Sequence, residues 1–358
     1  MPRVTVLSSM YRDAPCIGRA IESVLAQTYT DFEYLILNDA AIDDSRAIAA
    51  SYADPRIRIV DNELNLGLTK TLNRGLALAQ GELIARFDSN DICFPERLAK
   101  QVAFLDAHPD VAAVGVQAHV VDLSGRRIRR AEFRRPTTDL GIDWYCLFDT
   151  PLIHPGSMYR RSVVYDELGG YDEEYRVGQD ADLWLRVRRG HKLANLDEAL
   201  LALRYDRQSI SSDVTNPLRS DHRQRYLDRG SEIMKSFLHR DDIPDEWRSL
   251  WFDVFHPDVR MSGDRALASA DALDWCFERF CELHPDARTN REIASQRVYT
   301  MQRAAAKGAR DSVWVAISLL RRIAFIDPAS AAAALPRLAL SWIAGDRPNR
   351  LWRSWRYR

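Results

Sequence analysis

The alternation of strand-like and helix-like patterns over residues 4–88 constrains this chain most. Strands separated by single helices pair in parallel, and right-handed crossovers place the helices on both faces of the sheet. The pattern therefore predicts an α/β fold with a doubly wound, mostly parallel sheet, followed by a C-terminal helical extension. The apolar strand-like runs are 4–8, 32–37, 57–60 and 83–87, and the segments with helical spacing are 17–27, 45–52 and 69–79.

Polar side chains follow three of these predicted strands. Tyr11 follows the first strand, Asp39 the second and Asp88 the fourth. Ligands bind beyond the carboxyl ends of the strands in such sheets, so all three should face one crevice. The Tyr11 ring offers a face for stacking, and Asp39 can accept hydrogen bonds from a base or a ribose. The alternative for Asp39 is a strand-end carboxylate that only caps a loop.

The acidic segment 88–91 reads Asp-Ser-Asn-Asp. Clustered hard oxygen ligands after a buried strand suit Mg²⁺ or Mn²⁺ that bridges two phosphates. We therefore expect Asp88, Asn90 and Asp91 to be metal ligands and Asp88 and Asn90 to contact a bound diphosphate. The alternative is that Asp91 caps a helix over 95–105, a position that Asp fills well.

A second acidic pair opens a predicted helix after Gly178. Asp180 and Asp182 lie in its first turn, where the helix dipole favours negative charge. A structural explanation is therefore available for both. A carboxylate at a helix start can also be held over a cleft as a general base.

Six motifs follow one another in a fixed order over residues 3–211. The first comprises 4–7 and 20–29 and includes SVLAQTY; the second comprises 65–68, 73–75 and 79–82 and includes Asn65-Leu66-Gly67-Leu68. The other four are 85–92, 154–161, 169–172 and 179–186. In this order the motifs resemble those of the inverting family-2 glycosyltransferases of GT-A fold.

The resemblance implies a role for each candidate residue. Asp39 would bind the nucleoside, Asp88 and its neighbours the donor diphosphate with Mg²⁺ or Mn²⁺, and Asp180 would be the catalytic base. The donor would be a nucleotide sugar of the UDP, GDP or dTDP type, and the acceptor a glycan or a lipid-linked glycan. The acceptor hydroxyl would displace the nucleoside diphosphate with inversion.

Three departures from the family pattern affect these roles. Asn38-Asp39-Ala40-Ala41 replaces Asp-Asp-Gly-Ser, which removes a glycine from a position that needs conformational freedom. Asn90 replaces a carboxylate of the metal motif. Asp206 stands where the family often has a histidine, and we expect it to be a further metal ligand; a solvated loop aspartate is the alternative. An active transferase is favoured, and a silent nucleotide-sugar-binding module is the competing hypothesis.

Composition bears on location. The five cysteines are scattered without a CxxC pair, which fits a reducing cytosol better than a disulfide framework. No leader and no apolar run of about 18 residues is evident, so a cytoplasmic or membrane-peripheral protein is expected. Domain boundaries are predicted to give a catalytic domain at 1–215, a helical extension at 216–300 and a basic amphipathic helical tail at 301–358.

The tail is basic whereas the body is acidic. Residues 300–358 hold 11 Lys or Arg against 3 Asp or Glu, and the net charge of the whole chain is -1. Apolar helical segments at 313–326 and 331–344 precede a terminus that alternates aromatic residues with arginine. This favours binding to an anionic membrane surface on the cytoplasmic side, and a helix pair packed on the protein is the alternative. No nucleic-acid partner is expected.

Overall fold

The structure is a computed structural model and describes residues 1–122, 124–204, 234–244, 246–255, 261–308 and 313–334. The described residues form two compact units. Those of the first unit lie within Met1–Ile142 and Thr150–His222, and those of the second within Asp143–Asp149 and Arg223–Arg356. No pattern in the sequence indicated that Asp143–Asp149 groups with the C-terminal helices.

The first unit begins with the predicted alternation. All four predicted strands and all three predicted helices form where the apolar spacing places them. The strands are β1 Val4–Met10, β2 Phe32–Asn38, β3 Ile57–Asp61 and β4 Leu83–Arg86, and the helices are α1 Ile17–Leu25, α2 Ser45–Ala50 and α3 Leu68–Leu78.

Shorter and more varied elements follow β4. They include a 3₁₀ turn at His154–Gly156 and a π-helix at Ser162–Glu167. The strands are β5 Ile92–Cys93, β6 Val111–Val121, β7 Arg127–Phe133, β8 Met158–Arg160 and β9 Lys192–Arg204, and the helices are α4 Arg97–Ala107, α5 Asp139–Cys146 and α6 Gln179–Arg188.

Among the described residues these strands form one nine-stranded sheet, in the order β3-β2-β1-β4-β8-β6-β9-β5 with β7 paired to β6. The four N-terminal strands are parallel, and β1 pairs with β2 from Val4 opposite Phe32 to Met10 opposite Asn38. Strand β8 runs antiparallel to both β4 and β6. The predicted α/β fold of GT-A type is confirmed, with antiparallel strands added to its second half.

The sheet needs helices on both faces because its central strands have no polar face. Every residue of β2 is buried, and α1 covers the sheet with Ile17, Ile21 and Val24. Wholly burying one such side chain contributes about 1.5–3 kcal/mol. Gly81 permits the close start of β4 beside β1, since a Cβ there would lie 2.5 Å from the backbone nitrogen of Thr5.

The regular elements in the described residues of the second unit are all helices, as the sequence beyond residue 215 predicted. Trp144 is 1% exposed and packs edge-on against Phe280 and Phe277, with ring centroids 5.4 and 6.0 Å away. None of the helices described in the structure is long and apolar enough to cross a membrane. The longer helices of this unit are α7 Glu246–Phe255, α8 Gly263–Leu283, α9 Arg291–Gly308 and α10 Val313–Ile326, and further helical residues lie at 234–238, 285–289 and 328–334.

Candidate active site

Loops from three parallel strands meet at the carboxyl edge of the sheet. The backbone nitrogen of Asp39 donates to the carbonyl of Met10 over 2.9 Å, which joins the ends of β2 and β1. The hydroxyl of Ser89 donates to the carbonyl of Ser9 over 2.9 Å, which joins the loop after β4 to β1. The predicted convergence of the segments that carry Tyr11, Asp39 and Asp88 is therefore present in the structure.

Asp39 organises the loop that follows β3. Its carboxylate is buried and accepts hydrogen bonds from Asn62 Nδ2 at 2.7 Å, the backbone of Leu66 at 2.8 Å and the backbone of Gly67 at 3.0 Å. A carboxylate offers about four lone-pair sites, so about one is left for a ligand. The loop-holding alternative is thus part of its role, and binding of a nucleoside by Asp39 stays a prediction.

In the turn after β2, Ala40 adopts a backbone conformation that usually requires glycine. Ala40 has φ of 54°, in the left-handed region that glycine adopts most readily. The side-chain oxygen of Asn38 accepts from the backbone nitrogen of Ala41 over 3.0 Å and closes the turn. The departures at Asn38 and Ala40 therefore leave the loop in the conformation that the family glycine would favour.

Asp88 is held by a buried arginine. Arg86 is fully buried on β4 and donates from Nη2 to Asp88 Oδ1 and from Nη1 to the carbonyl of Phe87. Burial lowers the pKa of Arg86, but the charge and hydrogen bond of Asp88 together with the neighbouring Tyr171 and Tyr159 outweigh it and raise the pKa. The Asp88 side chain is 39% exposed, so a carboxylate oriented by Arg86 faces the crevice.

Asp91 lies deeper. It is buried, and its Oδ1 accepts the backbone N–H of Arg204 over 2.8 Å. Burial, and then the charge of Asp88, raise the pKa of Asp91 well above its usual range. The helix-cap alternative is wrong, because α4 begins at Arg97 and the residue before it is Glu96.

The predicted metal ligands fit a hard cation chemically. Asp88 and Asp91 are close enough to repel, and Asn90 between them adds an amide oxygen, so a divalent cation would relieve the repulsion with ligands that it prefers. Within the described ranges no group of three or more His, Cys, Asp or Glu could hold a metal ion. Asp206 lies outside the described residues.

The two acids of α6 differ in their surroundings. Asp182 is 2% exposed and accepts from Arg186 Nε over 2.7 Å, and Arg186 also donates to the carbonyls of Leu168 and Gly170. Asp182 therefore anchors the segment that leads into the helix. Asp180 is only partly buried at the first turn, where the dipole favours its charge.

Tyr171 connects the two acidic regions. Its buried hydroxyl hydrogen-bonds to His154 Nε2 at 2.9 Å and to the hydroxyl of Tyr159 at 3.1 Å. Burial raises the pKa of Tyr171 well above its usual range; Tyr159 and Asp180 add to the rise and Arg86 opposes it. One ring thus lies within electrostatic reach of Arg86, which holds Asp88, and of Asp180.

Sequence reasoning missed Asp13, in the loop between β1 and α1. Its Oδ2 accepts from the hydroxyl of Ser89 at 2.7 Å and from the backbone of Tyr11 at 3.1 Å. Burial raises its pKa, the two hydrogen bonds lower it, and the charges of Asp88 and Asp43 raise it further. Asp13 thus ties the Tyr11 loop to the acidic segment. Asp in a loop is common, so the sequence carried no signal for it.

Comparison with known proteins identifies the family to which the chain belongs. The family model described as Glycosyl transferase family 2 matches residues 5–168. EpsE of Bacillus subtilis (strain 168), a glycosyltransferase by name, is 35% identical over 228 residues, which are 61% of this chain and 80% of that protein. The chain belongs to glycosyltransferase family 2. This confirms the resemblance that the six motifs indicated.

Two further comparisons concern the family and the fold, one each. The amylovoran biosynthesis glycosyltransferase AmsE of Erwinia amylovora is 32% identical over 222 residues, 60% of this chain and 79% of that protein. The crystal structure of residues 1–349 of TarS from S. aureus in complex with UDP-GlcNAc has a TM-score of 0.53 at 17% identity, covering 88% of this chain and 91% of that one. The TarS likeness shows the shared fold.

Proposed function

We propose that this glycosyltransferase transfers one sugar, with inversion, from a nucleoside-diphosphate sugar to an acceptor hydroxyl in polysaccharide, glycolipid or glycoprotein glycan assembly. Two relatives support a role in polysaccharide assembly by their names. They are AmsE (amylovoran biosynthesis) and the succinoglycan biosynthesis protein ExoO of Rhizobium meliloti, which is 32% identical over 188 residues. The UDP-GlcNAc bound to TarS supports a nucleotide-sugar donor.

The observation that carries the proposal is that charges from both acidic regions act on the buried Tyr171. Arg86, which donates to Asp88, lowers the pKa of Tyr171 and Asp180 raises it, which supports a single site that includes the Asp88 end of the crevice and the start of α6. A single displacement needs a base on the acceptor side and charge neutralisation on the leaving-group side.

Asp180 is the base in this proposal. It takes the proton of the acceptor hydroxyl, whose oxygen attacks the anomeric carbon on the face opposite the donor phosphate. The bond from the anomeric carbon to the phosphate oxygen breaks, and the nucleoside diphosphate leaves with the electron pair. One displacement inverts the configuration at that carbon.

Asp88, Asn90 and Asp91 are the proposed ligands of Mg²⁺ or Mn²⁺, with Asp206 as a further ligand. The cation would neutralise charge that develops on the leaving diphosphate. Arg86 holds Asp88 at the crevice through its hydrogen bond to Oδ1. Tyr11 is the proposed stacking surface for the donor base, since the loop that carries it is fixed by Asp13.

The test is release of nucleoside diphosphate from a panel of UDP, GDP and dTDP sugars, with Mn²⁺ or Mg²⁺ and with chelator. Hydrolysis of one donor that requires the cation and is lost in Asp180→Asn would support the proposal. Asp182→Asn is the comparison variant, because Asp182 pairs with Arg186 and anchors the chain instead of facing the acceptor. Donor binding without turnover across an acceptor screen would instead support the silent binding module.

We also propose that the enzyme works at the cytoplasmic face of a membrane on a glycan or lipid-linked acceptor. The basic terminal residues of the tail lie outside the described residues. Support comes from α10, on which Trp314 is 73% exposed and Phe325 is 93% exposed. Exposed aromatic rings on an apolar helix suit the interface of a bilayer.

A further inference from the structure

Arg204, the last residue of β9, is a buried arginine whose guanidinium forms no ion pair within the described residues, although its charge acts on the nearby Asp91 and lowers the pKa of that carboxyl against the larger effects of burial and Asp88. The residue is 8% exposed, and both Nε and Nη2 are shielded from solvent without a hydrogen-bond partner. Nη1 contacts the sulfur of Cys16, which is a weak acceptor. No carboxylate in the described part of the chain forms an ion pair with the Arg204 guanidinium.

Nε of the fully buried Arg86 also has no hydrogen-bond partner, but two other arginines of the same unit use their donors more completely. Arg97 is fully buried and donates to the side chain of Gln101 at 3.0 Å and to the carbonyl of Arg86 at 2.7 Å. Arg160 donates to the carbonyls of Leu105 at 2.7 Å and Val111 at 3.0 Å. Leaving a buried charged donor unpaired is costly, so the state of Arg204 calls for a ligand rather than for a packing explanation.

The position of Arg204 indicates which ligand. Its backbone N–H donates to Asp91 at 2.8 Å, so it adjoins the acidic segment 88–91. Its guanidinium lies against Cys16, the residue before α1, where the helix dipole places partial positive charge. Two sources of positive charge next to the predicted diphosphate segment favour an anion between them.

We propose that Arg204 binds the diphosphate of the donor through its guanidinium group. This rests on the proposed function and adds a residue to it. The planar guanidinium fork matches two phosphate oxygens at once. A diphosphate has enough oxygens to contact Arg204 and a cation at Asp88 together, so the leaving group gains a positive charge that does not depend on Asn90.

The probe is inorganic pyrophosphate, added with chelator so that no cation contributes. We expect pyrophosphate to raise the Tm of the native chain and its Kd to increase about ten- to hundredfold in Arg204→Met. Without pyrophosphate, Arg204→Met should be as stable as the native chain or more stable, because an unpaired buried charge is removed. Arg160→Met should lower the Tm while leaving the pyrophosphate response intact.

An unchanged pyrophosphate Kd in folded Arg204→Met overturns the proposal. Should that variant not fold, Arg204→Lys serves, since it keeps the charge and loses the fork; an unchanged Kd there also overturns it, and a rise of about tenfold supports it. If pyrophosphate binding depends on Arg204 but the protein turns over no nucleotide sugar, this inference is supported and the proposed function is wrong. If turnover depends on Asp180 but not on Arg204, the proposed function is supported and this inference is wrong.

Discussion

The side-chain nitrogen of Asn38 donates a hydrogen bond of 2.8 Å to Oδ1 of Asp61, at the ends of the neighbouring strands β2 and β3. Asp61 also accepts from Arg46 at 2.9 Å, and the bonds from Arg46 and then Asn38 hold its pKa below the usual range. The family pattern has a carboxylate at position 38. In this chain the amide is required because Asp61 already supplies the negative charge.

Asn38→Asp should therefore destabilise the protein above about pH 5, where both carboxylates would be ionised. Asp61 is about half exposed, so we expect a loss near 1 kcal/mol that disappears as the pH falls through the carboxyl pKa. Urea unfolding at pH 7 and pH 4 measures it. The exchange variant Asn38→Asp with Asp61→Asn should recover most of the loss; if it does not, the pair is not the cause.

Ala40 carries strain that glycine would remove. A non-glycine residue in the left-handed region costs about 1–2 kcal/mol, which glycine would remove. Glycine also makes the unfolded chain more flexible, and this lowers the stability of the folded protein by about 0.5–1 kcal/mol. Ala40→Gly should thus raise the free energy of unfolding by roughly 0.5–1 kcal/mol. Ala41 is not among the residues of positive φ, so Ala41→Gly is the matched control and should lower it.

Substitutions of Asp180 and Asp182 should have different effects, the first on turnover and the second on stability. We expect Asp180→Asn to lower turnover about 10²- to 10⁴-fold with little change in Tm, because a general base is lost from a partly buried position. Asp182→Asn should cost about 1–3 kcal/mol of stability, since it weakens the buried pair with Arg186. Initial rates at saturating donor, with Tm measured on the same samples, distinguish them. Equal rate losses in both variants would contradict the assignment of the base.

His154 should make the protein sensitive to mild acid. Burial, and then the charge of Arg86, lower the pKa of His154 well below its usual range, so the native state keeps the neutral ring while the unfolded chain is protonated near pH 6.5. This contribution is present in full above the unfolded pKa. It falls with decreasing pH by up to about 1.4 kcal/mol per pH unit.

Unfolding free energies between pH 5 and 8 test this expectation. His154→Gln keeps a polar partner for Tyr171 and should flatten the acidic side of the profile. His108 is exposed, and His108→Gln should leave the slope unchanged. The same slope in His154→Gln as in the native chain would show that another group is responsible.

The first half of the sheet was predictable because it depends on local periodicity. Apolar alternation identifies β1 to β4 and their helices, and the strand-end rule then places Tyr11, Asp39 and Asp88 at one edge. The antiparallel insertion of β8 between β4 and β6 was not predictable, since Met158–Arg160 is too short for periodicity to mark it.

Site chemistry that depends on long-range contacts was also missed. Asp39 reaches Leu66 and Gly67, which are 27 and 28 residues away, and Arg204 reaches Cys16 over 188 residues. Arg86 did leave a signal, because a charged residue inside the buried run Leu83–Arg86 needs a partner, and Asp88 is two residues away. Asp13 and Arg204 left none.

The exposed aromatic residues of α10 test the membrane hypothesis. Trp314 and Phe325 are eleven residues apart, so at 100° per residue they project within about 20° of each other on one face of the helix. Two rings that enter the headgroup region together should dominate binding to anionic vesicles.

We expect the double variant Trp314→Ser with Phe325→Ser to bind phosphatidylglycerol vesicles at least about tenfold more weakly in a sedimentation assay, because apolar burial is lost. Ile42 is 69% exposed in the other unit, and Ile42→Ser should have no effect. Equal binding by the double variant and the native chain would assign these rings to a protein contact instead.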